Sequence, residues 1–176
     1  GSTITGTGNA DQITGGAGND TVKGTKAAIV TAGDAITFGA GTDTLEITDA
    51  ASVDFSSLSF TGAEAIKVVS AASATNAYVV NAGQFAAGDV SITGVGADAD
   101  DDTLTIKKKT TNFEATAETA AGDVNIAGEW FFTQDSGDDG KLVYYNEEFS
   151  ALTTLTIVGL DAGAFAVSSN NLVFTA

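Results

Sequence analysis

The sequence predicts an all-β chain built of stacked strand–turn coils, and three observations carry that expectation. Short runs of alternating apolar and polar residues recur from end to end, each bounded by Gly, Asn, Asp or Ser. A thirteen-residue segment returns at a fixed offset of 23. Finally, the segments that could be helical, Ala82–Ala87 and Ala115–Ala121, are short and poorly patterned.

The strand runs fall in order along the chain: Asp43–Ile47, Ala65–Val69, Asp102–Ile106, Lys141–Tyr145 and Leu155–Val158. In the repeat, Asp11–Lys23 lies over Asp34–Glu46 with eight of thirteen positions identical. Within each copy two Asp stand nine apart, Asp11 with Asp20 and Asp34 with Asp43. Two nine-residue strand–turn units make an 18-residue coil, so the offset of 23 reads as one coil plus a five-residue insertion near Lys26–Val30. A second repeat sets Ala86–Gly94 over Ala120–Gly128 with seven of nine positions identical. Such coils bury a continuous core only by piling on one another.

Composition narrows the chemistry. The 176 residues suffice for one domain, or two small ones, and include 21 Gly but no Pro, Cys, Met, His or Arg. Without Cys or His there is no disulfide framework, structural zinc site, thiol nucleophile or Ser-His-Asp triad. Seven Lys against 23 carboxylates leave a net charge of -16, which repels nucleic acid and anionic lipid. Carboxylates are hard oxygen ligands of the kind calcium takes. No stretch approaches the roughly 18 to 20 apolar residues of a membrane span, and no basic region followed by an apolar run opens the chain. Gly1-Ser2 reads as a remnant of cloning ahead of a fragment of a longer protein.

Gly15–Lys23 fits the nonapeptide G-G-x-G-x-D-x-U-x at every specified position. Phe38–Glu46 fits with only its first Gly replaced, and Gly6–Thr14 keeps Gly6, Asp11 and Ile13. Over Gly6–Glu46 the chain therefore resembles the repeats-in-toxin (RTX) family of calcium-binding β-rolls. The resemblance implies a right-handed parallel β-solenoid with degenerate coils. It also implies Ca2+ held between stacked turns by backbone carbonyls and one Asp from each. In this chain Asp20 would share an ion with Asp43, helped by carbonyls of Gly15, Gly16, Gly18, Gly39 and Gly41. Asp11 would share one with Asp34 through Gly6 and Gly8, although the second turn of that pair, Ile29–Asp34, lacks the motif's glycines. The competing reading is that Gly-Asn-Asp forms a turn without metal.

Asp98, Asp100 and Asp102 offer a further calcium turn, against the alternative of an acidic solvated loop. The segment fails as an EF-hand, since Thr103 stands where Gly is needed and Lys109 where the bidentate Glu belongs. Asp135–Gly140 reads as a hairpin turn between Trp130–Thr133 and Lys141–Tyr145. Lys107-Lys108-Lys109 reads as a solvated strand face or a guarded sheet edge rather than a glycan contact. The aromatics Trp130, Phe131, Phe132, Tyr144, Tyr145 and Phe149 read as core or cap rather than a sugar platform. Thr-x-Thr pairs raise ice binding, but in the sequence they do not recur in register.

Phe132–Ala176 resembles the C-terminal part of proteins exported by type I secretion, with an Asp/Gly turn, two strands and an apolar tail, Leu172-Val173-Phe174. The expected organisation is a calcium-binding β-solenoid over residues 1–131 and a C-terminal β cap with the secretion signal over 132–176. The expected function is a non-catalytic calcium-binding module of an extracellular, cell-surface protein. Its partners would be calcium, the type I secretion apparatus and other copies in a surface lattice; composition is closest to bacterial surface-layer proteins. The alternatives are the calcium-binding tail of a secreted protease or lipase, or of a large adhesin. A carbohydrate-active enzyme working through two carboxylates is disfavoured, because no pair among the 16 Asp and seven Glu is singled out.

Overall fold

The computed structural model describes residues 1–69, 75–85, 88–95, 102–107, 113–115, 117–134, 140–147, 150–158 and 164–175. Over these residues the chain is all-β, with sixteen strands in an eight-, a five- and a three-stranded sheet. The chain visits these sheets in rotation. Strands β1 (Thr3–Thr5), β3 (Thr21–Gly24), β5 (Thr44–Ala50), β8 (Ala65–Val69) and β10 (Gly88–Thr93) pair successively in parallel along the first sheet. Between them β2 (Gln12–Thr14), β4 (Ala35–Thr37) and β7 (Ser59–Thr61) build a second parallel sheet. From β6 (Val53–Asp54) onward a third opens, continued in parallel by β9 (Ala77–Asn81) and β11 (Thr103–Lys107).

Register shows how the cross-section grows. Thr3 pairs with Thr21, a coil of 18 residues, as two nonapeptides require. Thr21 then pairs with Thr44 at an offset of 23, and the insertion expected at Lys26–Val30 is the short helical turn α1, Lys26–Ile29. The next offset is 21, Thr44 to Ala65, within which β6 opens the third sheet, and later offsets reach 26, Ala65 to Ser91 and Ala77 to Thr103.

Every return preserves side-chain facing, so apolar residues stack in ranks. One inward rank runs Ile4–Val22–Leu45–Ile66–Ile92–Ile157, another Ile13–Ile36–Phe60 and a third Val53–Tyr78–Leu104–Phe174. Ile4 and Ile13 in the first coil are only partly buried, whereas Val22 and Leu45 one and two coils on have no exposure. Each such side chain contributes roughly 1.5–3 kcal/mol by leaving water. The outward ranks Thr3–Thr21–Thr44 and Thr14–Thr37–Thr61 bring threonines into register after all. The neighbouring rank Thr5–Lys23–Glu46–Lys67 is charged, with Lys67 and Glu46 paired at 3.5 Å, so no double-threonine ice face forms on the first sheet.

The last third is antiparallel, making two of the three sheets mixed. Strand β12 (Trp130–Gln134) pairs with β13 (Gly140–Asn146) as the hairpin reading expects, the connecting residues lying outside the described ones. Strand β14 (Ala151–Val158) pairs antiparallel with β13 and parallel with β10, tying this hairpin to the first sheet. Strands β15 (Ala164–Ser168) and β16 (Asn171–Thr175) close the third sheet against β11. The apolar tail is thus an internal strand, with Leu172 and Phe174 fully buried. The expected boundary at 131/132 falls inside β12. Trp130 and Tyr144 lie in the core, the indole N–H donating to the Glu114 carbonyl and the Tyr144 hydroxyl to that of Ala82.

One expectation is corrected, and one pair of alternatives is decided. Of the second repeat, Gly88–Thr93 is strand β10, but Ala121–Asp123 is a 3-10 turn, and Ile126, the counterpart of buried Ile92, is 55% exposed. The Glu129 carboxylate accepts the N–H groups of Asn125 and Ile126, and the Asn125 amide donates to the Asp123 carbonyl. Those local bonds take two N–H groups and a carbonyl that a strand ladder would use. Lys107, part-exposed at the end of its strand, fits the solvated-face alternative and guards no edge, because β11 lies between β9 and β16.

Lys107 instead reaches Asp54 at 3.3 Å and the Ser56 hydroxyl at 2.8 Å. Partial burial works against the Asp54 charge, but the Ser56 hydroxyl and N–H and the Lys107 ammonium outweigh it and hold the carboxyl below its usual range. A depressed carboxylate adds stability above its unfolded pKa, which is lost as pH falls through the folded value. Lys107→Ala is therefore expected to cost no more than about 1 kcal/mol in urea unfolding at neutral pH, the pair being half exposed. The difference should close under strongly acidic conditions.

Candidate metal centre

The turns of the first coils are built by glycine. Gly18, Gly41 and Gly62 occupy one rank, each two residues before the acid that precedes a strand, and all have positive φ (99°, 151° and 83°). The turns also stack in contact. The Gly16 carbonyl accepts the Ala40 N–H at 2.9 Å, and the Ala40 carbonyl accepts that of Gly18. A Cβ on Gly39 would stand 1.6 Å from the Gly16 oxygen, so that position admits no side chain.

An acid follows in the same register in each coil. The Ser2 N–H donates to Asp20 Oδ1 (2.6 Å), the Asp20 N–H to Asp43 Oδ1 (2.7 Å), and the Asp43 N–H to Glu64 Oε2 (2.7 Å). Each carboxylate thus caps the backbone of the coil before it, forming a column at one edge of the stack. The second column repeats the rule: the Asp11 N–H donates to Asp34 Oδ1 at 2.7 Å, and in the third sheet Asn76 donates to Asp102 Oδ1 at 2.6 Å.

The columns differ in what remains. Asp20 is 2% exposed and Asp43 fully buried, and in each the Oδ2 has no hydrogen-bond partner. Asp20 Oδ2 lies against Gly15, 2.8 Å from where a Cβ would be. Among the described residues no Lys pairs with Asp20, Asp43 or Glu64. A buried acceptor without a donor costs about 1–3 kcal/mol, and more when charged. The Glu64 carboxyl is pushed above its usual range by partial burial and by the Asp43 charge, against the pull of the Asp43 N–H. Buried carboxylate oxygens without donors, set among glycine turns, are of the kind a hard divalent cation takes.

Elsewhere the fit is poorer. The Asp11 carboxylate accepts the Thr7 N–H and hydroxyl, and Asp34 accepts both Asp11 and Thr31 N–H groups, leaving neither with a buried unpaired oxygen. Gly6 packs against Ala28 and Ile29 of the helical turn, and a Cβ on Gly8 would meet no other part of the chain within 4 Å. Asp98 and Asp100 lie outside the described residues. No group of three or more carboxylates able to hold an ion stands among the described residues. An ion in the first column would therefore rely on paired carboxylates and backbone oxygens.

Glu64 was not anticipated from the sequence. Its signal is Gly62-x-Glu64-x-Ile66, which register sets over Gly41-x-Asp43-x-Leu45 at an offset of 21, with Glu replacing Asp. No family model, curated protein or solved structure matches the chain.

Proposed function

We propose that this chain is a non-catalytic calcium-binding structural module of a secreted cell-surface protein. In this reading it is a right-handed β-solenoid over residues 1–131, closed by a C-terminal cap over 132–176 that carries the type I secretion signal. The observation that carries the proposal is the pair Asp20 and Asp43, stacked between glycine turns, each with a buried carboxylate oxygen that no donor meets. Calcium would neutralise these charges and bind the turns to one another, with Gly15, Gly16, Gly18, Gly39 and Gly41 supplying carbonyl oxygens. Asp11 with Asp34, and the Asp98–Asp102 turn, are secondary positions in the same scheme.

The electrostatics give calcium a role in export. A chain of net charge -16 repels itself where the ion is scarce and collapses where the ion is abundant. No helix among the described residues is long and apolar enough to cross a membrane. The form proposed for attachment at a cell surface is a calcium-stiffened module associating in a surface-layer lattice.

Circular dichroism and light scattering of the purified chain, first in EGTA and then across millimolar Ca2+, test this. A gain of β signal and of melting temperature is expected as calcium rises, with particle growth if copies assemble. A folded, monomeric protein indifferent to calcium would overturn the proposal.

A further inference from the structure

We infer that Glu64 is a third carboxylate of the same column and creates a second cation position, between the turns carrying Asp43 and Glu64. The inference rests on the calcium reading of Asp20 and Asp43 and extends it to a residue outside every nonapeptide.

The geometry repeats one coil on. Asp43 donates its N–H to Glu64 at 2.7 Å, as Asp20 does to Asp43. Gly62 has the positive φ and the place of Gly41, so this turn curls like the one beneath it. The glutamate's extra methylene carries its carboxylate to the same N–H although this coil is two residues shorter than the last, an offset of 21 against 23. One coil back in the same column stands the fully buried Asp43, whose Oδ2 no donor meets. Such an oxygen, on the residue ranked between two other acids and with no ammonium paired to any of the three among the described residues, calls for a cation rather than a hydrogen bond.

The column also has a defined end. Because Ala65 pairs with Ser91, the residue in rank after Glu64 is Val90, which is buried and apolar. Cation positions on this edge therefore stop at Glu64, and a hard, oxygen-seeking divalent ion is the class each would take.

Equilibrium dialysis against calcium on the whole chain tests the assignment, comparing the wild type with Asp20→Asn, Glu64→Gln and Glu64→Asp. Glu64→Gln keeps an oxygen for the Asp43 N–H and removes the charge. It should bind one ion fewer than the wild type, or bind at least ten-fold more weakly, with an unchanged dichroism spectrum. If it matches the wild type while Asp20→Asn is impaired, Glu64 is only a cap, and this inference fails while the calcium reading stands. A wild type that binds no calcium removes both. Should Glu64→Gln fail to fold, Glu64→Asp decides: weakened binding supports the position, and unaltered affinity overturns it.

Discussion

Joint replacement of Asp20 and Asp43 by Asn is expected to raise the melting temperature in EGTA and to lower it in millimolar calcium. Each Asn keeps an oxygen for the N–H that the carboxylate caps, from Ser2 and Asp20 respectively. What disappears is charge. Two carboxylates one strand spacing apart repel by on the order of 3 kcal/mol at an effective dielectric constant of 20. The new buried amides keep unpaired groups of their own, so the net gain should be smaller, about 1–2 kcal/mol, or roughly 2–8 °C in a chain of this size. In calcium the order reverses. A cation at a hundred times its dissociation constant stabilises the parent by about 2.7 kcal/mol, and the variant forfeits that. Thermal melts of both proteins under both conditions check the crossing. If the variant shifts in the same direction in EGTA and calcium, the carboxylates act only as backbone caps.

The second large effect is expected at Gly39. Its Cβ would fall 1.6 Å from the Gly16 carbonyl oxygen, a backbone atom that cannot swing aside. Gly39→Ala must push two stacked turns apart, weakening the bonds between Gly16, Ala40 and Gly18 and moving the backbone that holds Asp20 and Asp43. A loss of more than about 2 kcal/mol in urea unfolding is expected, together with weaker calcium binding. Gly8→Ala is the matched control, since nothing lies within 4 Å of that position, and it should stay within about 0.5 kcal/mol of the parent. Equal effects at the two glycines would mean that the turns do not stack as described.

Much of the fold can be read in the residues because its ranks are local and periodic. The nonapeptide's apolar eighth residue marks Val22 and Leu45 as core, and both are fully buried. The early offsets of 18 and 23 are the coil lengths themselves. Legibility ends where coils lengthen and turns lose their glycines. Glu64 sits in a turn reduced to Gly62-x-Glu64, too short a signal to separate from chance until register puts it above Asp43. The near-identity of Ala120–Gly128 to Ala86–Gly94 misleads for the opposite reason. Nine residues do not form a strand without neighbours, and only Gly88–Thr93 lies between β8 and β14. The antiparallel last third is also non-local. Strand β14 joins β10 across 65 positions, Gly88 to Thr153, a pairing that no short pattern announces.

Calorimetric titration of calcium into the chelator-stripped chain, beside the Asp20→Asn/Asp43→Asn variant, tests the central claim most directly. Saturable binding to the parent at millimolar calcium or below, absent or at least ten-fold weaker in the variant, is the predicted result. Binding of equal strength to both proteins, or to neither, would contradict the assignment of Asp20 and Asp43 as the cation's ligands.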